Sequence, residues 1–338
     1  MPPLGPPSSF RRIGAGLVRP ECVLAHRSGL LVASDWHGAG GVALIGASGR
    51  GRRITARGWR EALRPNGIAL LPGGRVLLAH LGEHSGGVFA LDPDGAVTPI
   101  VTEADGRPLP PTNFVLADAQ GRLWITVSTR HAPRSAAWRA DIADGFIVLA
   151  APGERPRIVA DHLGYTNEVA LSADGGTLYA VETYARRLAA FDVAADGTLS
   201  GRRIVATFGP GDFPDGIALD AEGAIWVACI IGNRILRVTP DGAIAVMADA
   251  ADAAHVVQAE QAWRDGCLTR ALVDAGRDPH FRNISSLAFG GPDLSTLFVG
   301  CLLGDAILAA RSPVPGQPPP HWTLDPGPLP LLAEESPP

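Results

Sequence analysis

The 338-residue chain carries a net charge of −5 with a pI near 6.0, so it offers no basic footprint for nucleic acid. Its 46% hydrophobic content suffices for a sizeable core, and no uncharged apolar run reaches the roughly 18 residues that a membrane span needs. All 29 basic residues are arginine, which excludes a Schiff-base or lysine general-base mechanism, and the four cysteines (Cys22, Cys229, Cys267, Cys301) lack CxxC spacing and read as buried thiols.

The opening stretch MPPLGPPSSFRR has no apolar segment of the secretory type, which makes the cytoplasm the expected location. From residue 19 onward one pattern recurs: a polar residue, about four apolar residues, a Gly-containing turn and a second strand. In chain order the copies are RPECVLAHRSGLLVASD, RPNGIALLPGGRVLLAH, PPTNFVLADAQGRLWITVST, YTNEVALSADGGTLYAVET, FPDGIALDAEGAIWVACI and NISSLAFGGPDLSTLFVGC. A second hairpin follows most of them, as in GGVFALDPDGAVTPIV and NRILRVTPDGAIAVMA, giving four short strands per repeat.

The polar residue stands at positions 21, 66, 113, 167, 215 and 285, with spacings of 45, 47, 54, 48 and 70. These match one-blade repeat lengths. The fold class is therefore all-β: a six-bladed β-propeller with four-stranded blades, forming one domain over 1–338 with its core at about 8–312. Residues 1–7 and about 329–338, rich in proline, read as loose tails. Either SSFRRIGAGL or HWTLDPGPLPLLA can supply the outer strand that closes the last blade.

Two repeats are long. The spacing of 54 contains TRHAPRSAAWRADIADG, between the second and third strands of its blade, and the spacing of 70 contains a short helical insertion at 248–283, before the last blade. In a propeller both loop classes open on the same face, so both are read as rim elements and the second as a possible lid.

The first strand of each propeller blade lines the central channel. Glu21, Asn66, Asn113, Asn167, Asp215 and Ser285 are thereby expected to converge at one end of it. Glu168, the neighbour of Asn167, is expected to point the other way. Two carboxylates among amides call for a positive partner, because buried anions are costly unless paired. The donors are hard oxygens, so the expected cofactor is one divalent metal, with Ca2+ first and Mn2+, Zn2+, Mg2+ or Fe2+ as alternatives.

At these residues the chain resembles the senescence marker protein/gluconolactonase/regucalcin superfamily, which includes diisopropyl fluorophosphatase; the resemblance spans roughly residues 15–312. It implies metal ligation by Glu21 in PECVL, Asn167 in YTNEVALSADGGTLY and Asp215 in FPDGIALDAEGAIWVA. It also implies a substrate or metal contact at Asn113 in PPTNFVLADAQGRLW, and metal-dependent opening of a lactone. Chemistry makes Asp215 the candidate general base as well as a ligand. Asn66, Arg130 and His131 join Asn113 as candidate substrate contacts.

Sugar-lactone members carry an arginine two residues before the third-blade asparagine, where this chain has Pro111. With Arg130, His131 and Arg134 nearby, the departure hints at an anionic or bulkier substrate. Trp36, His37, His80, His84, Glu182, Tyr184 and Asn233 are further candidate walls. The expected partner is a small molecule, with no nucleic acid, membrane or obligate protein partner. Alternatives are a phosphotriesterase- or fluorophosphatase-like hydrolase on the same site, and a non-enzymatic binding platform.

Overall fold

The computed structural model describes residues 1–276 and 278–335. Six four-stranded antiparallel sheets form among them. Their innermost strands are Val23–Ala25, Pro65–Leu70, Phe114–Ala117, Thr166–Leu171, Asp212–Leu219 and Ile284–Gly290. Each packs against the innermost strand of the next blade, and the sixth packs against the first, so the sheets surround one axis as a six-bladed propeller. Among the described residues no helix is long and apolar enough to cross a membrane.

Turn chemistry explains why two of the hairpins form where they do. In ADAQGRLW the Asp118 carboxylate accepts from the backbone N–H of Gln120 and Arg122 and from the indole N–H of Trp124. Asp220 in LDAEGAIW repeats this with Glu222, Ala224 and Trp226, and also receives Arg237 Nε at 2.7 Å. The carboxylate thus ties the turn to an indole buried between blades. Two other glycines serve the axis. A Cβ on Gly67 would lie 2.4 Å from the Phe114 ring, and one on Gly216 would lie 2.3 Å from the carbonyl oxygen of Ser285. Neighbouring innermost strands approach too closely there for any side chain.

The N-terminal candidate closes the ring. Arg11–Ile13 is the outer strand of the sixth blade, with Arg11 opposite Ala309 and Ile13 opposite Ile307. The C-terminal stretch crosses the far end of the channel instead. Gln317 bonds the carbonyls of Leu219 and Leu171, and the ring of His321 bonds that of Ala25; all three are the last residues of innermost strands. The segment read as a tail from about 329 folds as a helix, Leu329–Glu334, whose Leu329 and Ala333 are buried against the first blade. Residues 336–338 lie outside the described residues.

The insertion before the sixth blade contains α1 (Ala253–Arg264), capped by the Asp252 carboxylate, and α2 (Arg270–Val273), capped by the Thr269 hydroxyl. Glu260 on α1 pairs with Arg186 and accepts the N–H of Gly211, which fastens α1 to the fourth and fifth blades.

Replacing Asp220 by Ala leaves the buried Trp226 indole N–H and Arg237 Nε without their acceptor, with only Glu222 still holding the guanidinium at 2.7 Å. We expect a loss of about 3–5 kcal/mol in urea unfolding. Asp141→Ala, which breaks an exposed pair with Arg139, should leave urea unfolding almost unchanged. Equal effects of the two substitutions would contradict a structural role for the Asp220 turn.

Candidate metal centre

The ladders of four innermost strands are interrupted at the polar position. Register shifts fall between Pro65 and Ile68, Thr166 and Val169, Pro214 and Ile217, and Ile284 and Ser286. Such bulges re-aim side chains, and here they take Asn66, Asn167 and Asp215 out of the strand alternation toward the axis. Glu21 and Asn113 reach the same place from just before their strands.

These five side chains form one hydrogen-bonded chain around the axis. Asn66 Nδ2 donates to Glu21 Oε1 at 2.7 Å and approaches the Asn113 carbonyl at 3.1 Å. Asn113 Nδ2 donates to Asn167 Oδ1, and Asn167 Nδ2 donates to Asp215 Oδ1 and to Thr183 Oγ1. Ser285 does not join it. Its hydroxyl donates to the backbone carbonyl of Glu21 at 2.9 Å, so it braces the ring from behind.

Glu21 and Asp215 are 3% and 5% exposed, and Glu21 Oε2 and Asp215 Oδ2 have no hydrogen-bond partner. Burial pushes the Glu21 carboxyl up to about 8, with repulsion from Asp215 second and Arg19 opposing. Burial likewise raises Asp215 to about 7, against the pull of Arg19, the Asn167 amide, Arg270 and Arg134. Two orphaned carboxylate oxygens beside amide oxygens fit a hard divalent cation: both would gain a partner, and both protons would leave. Among the described residues no group of three or more His, Cys, Asp or Glu is placed to hold a metal. The donor set here is two carboxylates with amide oxygens.

The ring floors a cavity of about 60 Å³. Both insertions supply its walls: Trp138 from the third blade, and α2 with Arg270 and Val273 from the sixth-blade insertion. Trp138 Nε1 bonds the hydroxyl of Tyr165, whose ring meets that of Tyr184 at 4.7 Å. Tyr184 is the member of the expected wall set that lines the cavity.

The other expected contacts lie elsewhere. Arg130 pairs with Asp161 and stacks on Phe146, and His131 bonds Asp144; both are exposed and outside the cavity lining. Their carboxylate partners hold them on the rim. Glu182 is buried between Arg187 and Arg202, while the Asn233 side chain caps the N–H of Ile284. Arg19, Arg134, Trp138, Tyr165, Thr183 and Arg270 do line the cavity. Of these, sequence reasoning noted only Arg134; Arg19, two residues before Glu21, was the nearest available signal.

Glu168 is buried at the next level of the channel. It enters the space that Gly216 leaves and accepts the N–H of Ile217 at 2.9 Å. It is not among the residues that line the ring's cavity, and burial, followed by the charge of Glu21, raises its carboxyl well above the usual range.

The family described as SMP-30/Gluconolactonase/LRE-like region matches residues 19–256. A 6-deoxy-6-sulfogluconolactonase of Pseudomonas putida is 26% identical over 216 residues, covering 63% of this chain and 62% of that protein. The chain thus spans less than two thirds of the length of the curated relatives it matches. Among solved structures, a gluconolactonase from Xanthomonas campestris has a TM-score of 0.66 at 21% identity, covering 93% of this chain and 91% of that one. A regucalcin from Agrobacterium tumefaciens, described as a calcium-binding protein, has a TM-score of 0.63 at 20% identity, covering 92% and 99%.

The raised carboxyls set a sign. In metal-free protein the native state keeps a proton on Glu21 between the ordinary carboxyl range and about pH 8, where the unfolded chain has lost it. Stability therefore falls as pH rises through that window, and the full penalty is present above it. Metal-free Glu21→Gln should melt a few degrees above metal-free wild type at pH 8.5, with the gap closing toward pH 5. A gap independent of pH would refute the assignment.

Proposed function

Because the chain belongs to the SMP-30/Gluconolactonase/LRE-like family, we propose that it is a metal-dependent lactonase whose axial ring holds one divalent ion through Glu21, Asn167 and Asp215. The observation that carries this reading is the pair of partnerless carboxylate oxygens, Glu21 Oε2 and Asp215 Oδ2, buried in one cavity floor. Calcium is the first choice, since amide and carboxylate oxygens presented from five separate blades suit its tolerant shell.

When bound, the ion would polarise a carbonyl and lower the pKa of water beside it. The chain's own residues supply the rest. Asp215, the ring carboxylate with a free oxygen on the fifth blade, takes the proton of the attacking water. Water oxygen adds to the lactone carbonyl carbon, the ring C–O bond breaks, and the alkoxide receives the proton, leaving a hydroxy acid. Asn66 and Asn113 lie beside it in the floor and are the substrate contacts on this reading, with Arg134 held on Asn113 Oδ1 at 3.0 Å. Trp138, Tyr165 and Tyr184 close the sides with apolar surface, which limits bulk water and strengthens each polar contact.

Calorimetry on chelator-stripped protein should show one calcium site, absent in Glu21→Gln and in Asp215→Asn. On a lactone panel, Asp215→Asn should lose roughly 10²- to 10⁴-fold in kcat/KM. Tight binding of manganese or zinc in place of calcium would reassign the ion. No binding of any of the three by wild type would overturn the proposal.

A further inference from the structure

Three arginines buried away from this cavity each pair with a carboxylate: Arg122 with Asp118, Arg186 with Glu260, Arg237 with Asp220. The two at the candidate centre do not. Arg19 is held over the Trp36 ring at 4.6 Å, and its one polar contact is a long 3.5 Å approach to Asn66 Oδ1. Arg134 lies over Tyr165 at 5.3 Å and donates one nitrogen to Asn113 Oδ1 and Ser128 Oγ. The Nε of each is buried without a partner. A third guanidinium in the lining, Arg270, is already matched by Asp274 at 2.6 Å.

If the two ring carboxylates are balanced by a dication, as proposed above, Arg19 and Arg134 remain as two uncompensated positive charges facing one small cavity. Leaving guanidinium N–H groups desolvated and unpaired is costly. Aromatic faces hold both planes in place, so their donors are pre-set for an oxyanion. We infer that the substrate is a lactone bearing an anionic substituent, such as carboxylate, sulfonate or phosphate, away from its carbonyl, and that Arg19 and Arg134 form the subsite that receives it. This inference rests on the lactonase reading for its reaction, but the anion subsite can be tested apart from it.

The test uses full-length protein in calcium buffer and two matched probe sets. Hydrolysis is compared for hexonolactones ending in phosphate, in sulfonate or in hydroxyl. Binding of the corresponding open-chain aldonates is measured by calorimetry. Charge-assisted hydrogen bonds predict that wild type favours an anionic probe by roughly tenfold or more over its hydroxyl counterpart. Which anion leads distinguishes phosphate from sulfonate chemistry. Arg19→Gln and Arg134→Gln should each collapse that ratio toward one, chiefly through KM, and Arg134→Lys should restore part of it in a protein with wild-type circular dichroism. If neither lactone is hydrolysed but the anionic aldonate still binds in an arginine-dependent way, the subsite stands and the lactonase reading falls. Equal handling of charged and neutral probes would overturn the subsite, as would absence of binding to both or an equal loss for both lactones in the arginine variants.

Discussion

Two carboxylates, Glu21 and Asp215, are buried in the floor of one cavity, and like charges in a low dielectric cannot both ionise without compensation. Much of the surrounding structure answers that constraint. Amides of Asn66 and Asn167 donate to one oxygen of each carboxylate, and guanidinium groups stand nearby without binding the other. One oxygen of each carboxylate stays unsatisfied, on the first and fifth blades. Such strain persists only where the rest of the fold over-determines it, and here the closed ring of innermost strands does so.

The architecture was legible because a propeller repeats its local chemistry. Each hairpin carries its own turn signal, and Asp118 and Asp220 occupy equivalent places before Trp124 and Trp226. The axial set was legible for the same reason: polar residues recurring at one phase of an apolar repeat are brought to one level of the channel by the blade geometry itself. Ser285 obeyed the phase but not the chemistry, since a serine is too short to meet the centre and finds the Glu21 carbonyl first. The glycines of PNG and PDG carried information that turn rules do not cover. They mark close approach between blades, and in the fifth blade the space so left admits Glu168.

The walls were harder to read. They come in part from insertions, where no period tells which side chain faces inward. Within one loop Arg130 and His131 find acidic partners on the rim while Arg134, a few residues on, turns to Asn113. Arg19 and Arg270 belong to the same class of residue, decided by tertiary neighbours. The sixth-blade insertion is fastened through Glu260 to Arg186, with Trp263 under the same guanidinium at 4.0 Å. That makes it a standing wall of the cavity in this structure.

Five blades draw their four strands from contiguous chain, whereas the sixth borrows Arg11–Ile13 to complete itself beside Ile307–Arg311. In the order of synthesis the earliest strand therefore waits for one of the latest. Each of the five local blades can form its own ladder while the chain is still being made, but the joint that fixes the ring's circumference spans nearly the whole sequence and carries the largest loop-closure entropy. Glu21 on the first blade and Asp215 on the fifth meet across a ring that this joint completes, so the cavity they share depends on a contact between the two ends of the propeller.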